Sequence, residues 1–445
     1  MVNEAQDTQA LLDRFQKTSY AYFAEQRNPA NGLVRDKTAA DWPSSIAVVG
    51  VALSAYPVGI ERGFTSRADA VAITLTTLRF FATSEQSNRP DATGYRGFYY
   101  HFLEMQTGRR AWGSELSSID TAILIAGVLT SAAYFDGDTT EEREIRSLAT
   151  QIYERVEWRW MLGRQKTLAH GWKPERRAFL RHRWRGYDES LILQLLAMGS
   201  PTHPIDPSCY TAWASTFDWI RYEGIEYLYA GPLFIHHLSQ IWLDLRGLRD
   251  AFMRGKGSDY FENTRRATQA QQRYAIANPL GLPHLGELCW GISACDGPGP
   301  GVQTVNGVRR AFFDYVARGV PYGPDDGTLS PSVVLGSLPF APEIVLPTVA
   351  NLFDLFLKAA SPYGFRSSVN PLARAEGASG PGWVSSYHFG INEGPVVLMI
   401  ENYRTGLLWK LMRDCTPLTN GLRAVGFAGG WLDESGQAGD RSRGE

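Results

Sequence analysis

IDTAILIAGVLTSAAYF, residues 119–135, has almost no polar face: around every turn after Asp120 the helix would present apolar or small side chains, so protein must enclose it on all sides. GPVVLMIENYRTGLLWKLM, at 394–412, reads the same way. TTEEREIRSLATQIYERVEW, at 139–158, is charged along one side and belongs on an outer layer. Alternation of enclosed and one-sided helices predicts an all-α fold, an (α/α)6 barrel or toroid, with an inner ring of helices inside an outer one. The 3.6-residue apolar spacing predicts helices near 8–26, 45–58, 66–83, 118–135, 140–158, 188–198, 210–220, 232–246, 259–276, 303–318, 342–358 and 393–413. No fixed-period signature supports a helical solenoid. No linker divides the 445 residues, so one domain over 8–430 is expected, followed by a disordered tail at 431–445.

The 44 basic and 46 acidic residues nearly cancel and give a net charge of −2, which argues against a nucleic-acid partner. The most basic stretch, RRAFLRHRWR at 176–185, is interrupted by Phe179, Leu180 and Trp184 and reads as a solvated loop or an anion-lined cleft. Cys209, Cys289, Cys295 and Cys415 lack CxxC spacing and read as isolated thiols. No apolar run is long enough to span a membrane, and the first residues lack the pattern of a signal peptide, so a soluble chain is expected. Adjacent His236 and His237 point in different directions on a helix, and no other ligand spacing predicts a metal; no cofactor is expected.

Chemistry concentrates in the loops GRRAWGSELSS (108–118), RHRWRGYDES (181–190), MGSPTHPID (198–206), HLGELCWGISACDGPGPG (284–301), YGPDDGTLSP (322–331) and SGPGWVSSYHFGINEG (379–394). They mix aromatic rings, which cover the C–H face of a sugar, with carboxylates that take its hydroxyls, so a saccharide is the expected ligand. Glu115 and Asp120 flank one enclosed helix, and Asp188 and Glu189 open another. Capping explains each acid alone, since Ser117 and Asp120 resemble a capping box and Asp188 an N-cap. Two acidic openings beside Trp112, Trp184 and Tyr187 favour glycoside cleavage, in which one carboxyl protonates the leaving oxygen and another carboxylate activates water or attacks carbon. Glu189 is the candidate acid. A helix N-terminus would lower its pKa, so burial or a neighbouring carboxylate must raise it. Trp112, Tyr187, Trp290 and Trp383 are candidate aromatic walls; Asp188, His236, Asp296, Asp326 and Glu393 are further candidate substrate contacts.

At SSIDTAILIAGVL, YDESLILQLLAMGSPTHP, GPLFIHHLSQIWLDLRG, WGISACDGPGPG and GINEGPVVLMIENYRTGLLWKLM the sequence resembles the glucoamylase-like domain family, which includes bacterial endo-β-1,2-glucanases and the transglycosylating domain of cyclic β-1,2-glucan synthases. The resemblance implies an (α/α)6 barrel, carboxylate catalysis on a β-glucan partner, and a periplasmic or secreted setting, with a cytoplasmic one as the alternative. It places the general acid on Glu189 and further catalytic acids on Glu115 and Asp120. Two positions depart from the family pattern: Ser367 in YGFRSSVNP, and Asn392 with Glu393 in GINEGP. The expected activity is therefore anomer-inverting β-1,2-glucan hydrolysis, with water activated by Asp120 or Glu393. The alternatives are a retaining transglycosylase using Glu115 as nucleophile and a glucan-binding protein that has lost its base.

Overall fold

A Cβ built on Gly127 would lie 2.0 Å from the Gly50 carbonyl oxygen, and one on Gly50 would lie 2.3 Å from that of Ile123. Only glycine at both positions lets α2 (Ile46–Glu61) and α4 (Ser118–Tyr134) touch backbone to backbone. In the computed structural model, which describes residues 2–356, 362–373 and 382–433, these are two of sixteen helices among the described residues. The others are α1 (Val2–Glu25), α3 (Arg67–Thr83), α5 (Thr140–Glu154), α6 (Trp158–Leu162), α7 (Leu191–Met198), α8 (Ser208–Ala214), α9 (Phe234–Leu238), α10 (Ala251–Lys256), α11 (Tyr260–Ala277), α12 (Pro331–Gly336), α13 (Pro342–Phe356), α14 (Gly390–Arg404), α15 (Leu407–Arg413) and α16 (Thr416–Ala424).

The apolar helices adjoin in a fixed order. α4 packs between α2 and α7; α2 also packs on α14; α14 meets α12, and α12 meets α9. The step from α9 back to α7 is closed by Ser239, whose hydroxyl accepts from Ile192 N at 3.0 Å and donates to Glu189 O at 3.0 Å. Outside them, α1 covers α14, α5 covers α4, α16 covers α7, α11 covers α9 and α13 covers α12, while α3 lies against α5 and α2. α5 illustrates the outer type: it buries Glu142, Ile145, Ala149, Ile152 and Tyr153 on one stripe, and Glu142 accepts two bonds from Arg67 of α3 at 2.8 and 2.9 Å. No helix among the described residues is long and apolar enough to cross a membrane.

Strands are short, two to five residues each, and form small antiparallel sheets in the connections. One of them corrects the expected helix at 303–318, where Gly301–Val305 pairs with Val308–Phe312. Asn306 and Gly307 both have positive φ, 50° and 77°, the two-residue turn that matches strand twist. The predicted helix at 393–413 is instead two, broken at Gly406 with φ 68°. The segment at 232–246 keeps only α9 and one 3-10 turn, and 210–220 splits into α8 and a strand from Trp219. α12 was not expected. Of the predicted tail, Trp431 to Asp433 are helical, and Trp431 Nε1 donates to Asp244 O at 2.8 Å; 434–445 lie outside the described residues. All four cysteines are free and buried.

Candidate active site

The starts of α2, α4, α7 and α14 are tied together by loops, and the tie places their acids. His101 N donates to Glu115 O at 2.9 Å, and His101 O accepts from Ile46 N, the first residue of α2, at 3.2 Å. Ser117 caps α4 by accepting from Asp120 N at 3.2 Å. Ser118 Oγ accepts from Trp184 Nε1 at 2.9 Å and donates to Ala169 O at 2.7 Å, which fastens the loop leading into α7 onto the start of α4. At α14, Gly390 N donates to Asp36 O at 2.8 Å and Thr38 N to His388 O at 3.0 Å, so the α1–α2 loop lies against the entry to that helix.

Glu115 and Asp120 meet at one side chain, His101: Glu115 Oε1 is 3.0 Å from its Nδ1, and Asp120 Oδ2 is 3.7 Å from its Nε2. Burial disfavours the imidazolium, but Asp120 and the Glu115 hydrogen bond outweigh it and hold His101 at about 9. Burial likewise opposes the Glu115 anion, yet the bond and charge of His101, with Lys173 beyond, bring its pKa down to about 2. Glu115 is thus a committed carboxylate partner of a protonated histidine.

Glu189 is different. No side chain among the described residues hydrogen-bonds its carboxyl, and it is partly exposed. Protein packs densely around it, and this burial, followed by repulsion from Asp188 and then Asp120, raises its pKa to about 8. Desolvation has outweighed the helix N-terminus, and the group carries a proton at neutral pH. Asp188 accepts from Ser190 N at 3.0 Å and from Trp213 Nε1 at 3.4 Å, an Asx turn that starts α7; burial raises it to about 7. Asp36, held by Trp42 Nε1 at 3.2 Å and raised by burial to about 6, completes the acid group through its electrostatic contact with His101 and Asp120.

The aromatic lining is partly other than expected. Trp112 is 59% exposed and packs edge-on to Trp42 at 4.6 Å. Lys37 Nζ lies 3.7 Å from the Trp42 ring and 4.5 Å from that of Tyr387. Tyr315 is 63% exposed, lies within electrostatic reach of Asp36, Glu189 and Asp296, and lines a hollow with Ser293, Ala294 and Asn392. Trp383 is half-exposed on a short strand paired with Asn370. Asp36, His101, Trp42 and Tyr315 were missed by the sequence reading, each being a single polar or aromatic residue in a loop.

Several expected contacts are corrected. Tyr187 is buried behind Glu189, packed on Tyr260 at 5.7 Å and His236 at 5.4 Å, so it supports the acid and offers no wall. Trp290 is fully buried in the apolar core. His236 is buried, with its pKa lowered by burial to about 4, and its ring is enclosed by Tyr187, Tyr227 and Asn263, the last at 3.4 Å. Asp326 is buried against Arg318 at 2.8 Å, and Arg318 also holds Cys295 O at 2.7 Å and Phe313 O at 3.0 Å; the pair braces the loops of Asp296 and Tyr315. Asp296 is tied to the hydroxyls of Ser368 and Ser385. Glu393 is buried against His388 at 2.8 Å, closed to a sugar or to an activated water.

The loops that start the buried helices α2, α4, α7 and α14 thus bring Asp36, His101, Glu115, Asp120, Asp188 and Glu189 within electrostatic reach of one another, and the helical body around them points to the class of protein. Residues 181–416, more than half of the chain, match the putative glucoamylase family, and the chain belongs to that family. It is 26% identical to an endo-β-1,2-glucanase from Chitinophaga pinensis solved with sophorotriose and glucose, with a TM-score of 0.83 over 95% of this chain and 98% of that one. A putative glucoamylase from Bacteroides uniformis is 29% identical, with a TM-score of 0.83 over 96% and 98% of the two chains. The exo β-1,2-glucooligosaccharide sophorohydrolase of Parabacteroides distasonis is 28% identical over 93% of this chain; the chain spans 57% of that relative's length.

Proposed function

We propose that this chain is a glycoside hydrolase that cleaves β-1,2-linked glucan, and that residues 8–430 form one (α/α)6 toroid whose inner helices are α2, α4, α7, α9, α12 and α14. The observation that carries the chemical reading is Glu189, a partly exposed carboxyl with no side-chain hydrogen bond among the described residues, which stays protonated at neutral pH beside other acids. Such a group donates its proton to the glycosidic oxygen as the bond breaks. Relatives of similar fold that act on β-1,2-linked glucans supply the substrate class.

Asp120 is the proposed base. It lies beside Glu189 and His101, and the second expected base, Glu393, is enclosed by His388. Glu115 is bonded to His101, which favours orientation of the histidine over nucleophilic attack. The proposed outcome is inversion. Incubation with linear and cyclic β-1,2-, β-1,3- and β-1,4-glucans, followed by product sizing, tests the substrate: shortening of β-1,2-glucan alone is expected. NMR of the first product tests stereochemistry, with the α anomer expected; a β anomer would move the assignment to a retaining mechanism.

A further inference from the structure

We propose that the basic hairpin beside the cleft binds anionic substituents on the glucan, so that a chain bearing acidic esters is the preferred substrate; this rests on the hydrolase reading above. Between Lys173 and Arg185 there are one lysine and five arginines against a single acid, Glu175, in a chain whose net charge is −2. That acid is already engaged by the nearly buried Arg110. Arg183 is also used structurally, donating to Leu162 O and Thr167 O at 2.9 Å each. Arg176, Arg177, Arg181 and Arg185 are exposed and have no side-chain hydrogen bond or ion pair among the described residues. Arg177 holds a left-handed φ of 45°, a conformation that Asn or Gly adopts more readily.

Lys173, Arg176, Arg181 and His182, with Glu175, Phe179 and Leu180, line a hollow of about 650 Å³. Its position ties it to the acids. The strand Leu116–Ser117 pairs with Gly171–Lys173, which pairs with Ala178–Phe179, and Leu180 N continues the contact by donating to Gly171 O at 2.8 Å. Gly171 backs directly on the Glu115 side chain. Two strand spacings, about 10 Å, separate the strand Leu116–Ser117 that follows Glu115 from Ala178–Phe179, and Arg181 lies three residues along from the point level with Glu115, so the two backbones are about 14 Å apart, a reach of a few glucose units. Lys173 Nζ, which donates to Gly113 O beside the exposed Trp112, marks the seam between cleft and hollow. In a 1,2-linked glucan the primary O6 hydroxyl stays free and projects furthest from the chain. A carboxylate or phosphodiester attached there meets guanidinium forks suited to paired oxygens.

The test compares neutral β-1,2-glucan oligosaccharides with the same oligosaccharides succinylated on their hydroxyls, using the whole chain. The expected result is a KM about 10-fold lower for the succinylated substrate, lost in R176A/R181A and in 0.5 M salt, reduced but not lost in R176K/R181K because lysine keeps the charge without the fork, with turnover of neutral glucan unchanged in both variants. Cleavage of both substrates with equal KM overturns the anion site and leaves the hydrolase reading standing, as does a preference that survives R176A/R181A. If neither substrate is cleaved, the hydrolase reading falls and calorimetry decides the site: salt-sensitive binding of succinylated over neutral glucan supports it, and equal binding overturns it. Arginine-dependent binding of phosphatidylglycerol vesicles or of RNA, without preference for succinylated glucan, also overturns it.

Discussion

Glu189 and Glu115 are two carboxyls of one site with opposite shifts, and their neighbours explain the difference. Glu189, raised to about 8, sets the alkaline limit of activity: kcat/KM should fall as pH rises through about 8, and a profile flat to pH 10 would remove it from the acid role. Glu115 and His101 form the stabilising pair. His101 has its folded pKa raised to about 9, so its contribution is complete below about 6.5 and is lost as pH rises through 9; Glu115, lowered to about 2, contributes fully above about 4.5 and loses it as pH falls through 2. E115Q should therefore lower Tm most near pH 5–6 and little at pH 10. An equal decrement at both pH values would show that the pair is not electrostatic. Glu189 and Asp120 were legible in the sequence because they open helices that are apolar all round. Asp36, His101 and Tyr315 were not, because nothing in a loop residue's own neighbourhood says which distant helix it will face. Tyr187 and Trp290 show the converse error: a ring in a polar loop reads as a wall until the core behind it is seen.

The elements hold the site through close contacts that single substitutions probe. At Gly127 an added Cβ meets a backbone oxygen that cannot move aside, so G127A should cost about 1–3 kcal/mol by overpacking. Gly255 in α10 has open space around it, and G255A should stabilise by up to about 1 kcal/mol through helix propensity. Chemical denaturation of both decides it: the same sign for the two would refute the account of α2–α4 packing. S118A should cost about 1–3 kcal/mol, because it strips the Trp184 N–H and Ala169 O of their partner, and should lower kcat by loosening the loop before Glu189. An unchanged kcat would mean that the loop is held elsewhere. The long elements α1 to α5 were read to within a few residues apart from the two ends of that run, since their periodicity is strong. The hairpin at 301–312 was misread as a helix although Asn306-Gly307 is a turn signal, because apolar spacing was given more weight than turn chemistry.

At the scale of the molecule, enclosed helices converge at their N-terminal ends, and outer amphipathic helices supply the frame that keeps them there. Only the contrast between apolar and one-sided helices was needed to expect this layering; the order in which the helices adjoin came from contacts no local pattern encodes. The central claim is that this frame exists to hold one protonated carboxyl against a β-1,2-glucosidic bond. Wild type and E189Q incubated with β-1,2-glucan in parallel, with products sized and melting followed on the same samples, tests it directly. Cleavage by wild type is expected, with a rate about 100- to 10,000-fold lower for E189Q and little loss of thermal stability. An E189Q enzyme that cleaves at the wild-type rate but melts lower would make Glu189 a structural residue and contradict the account.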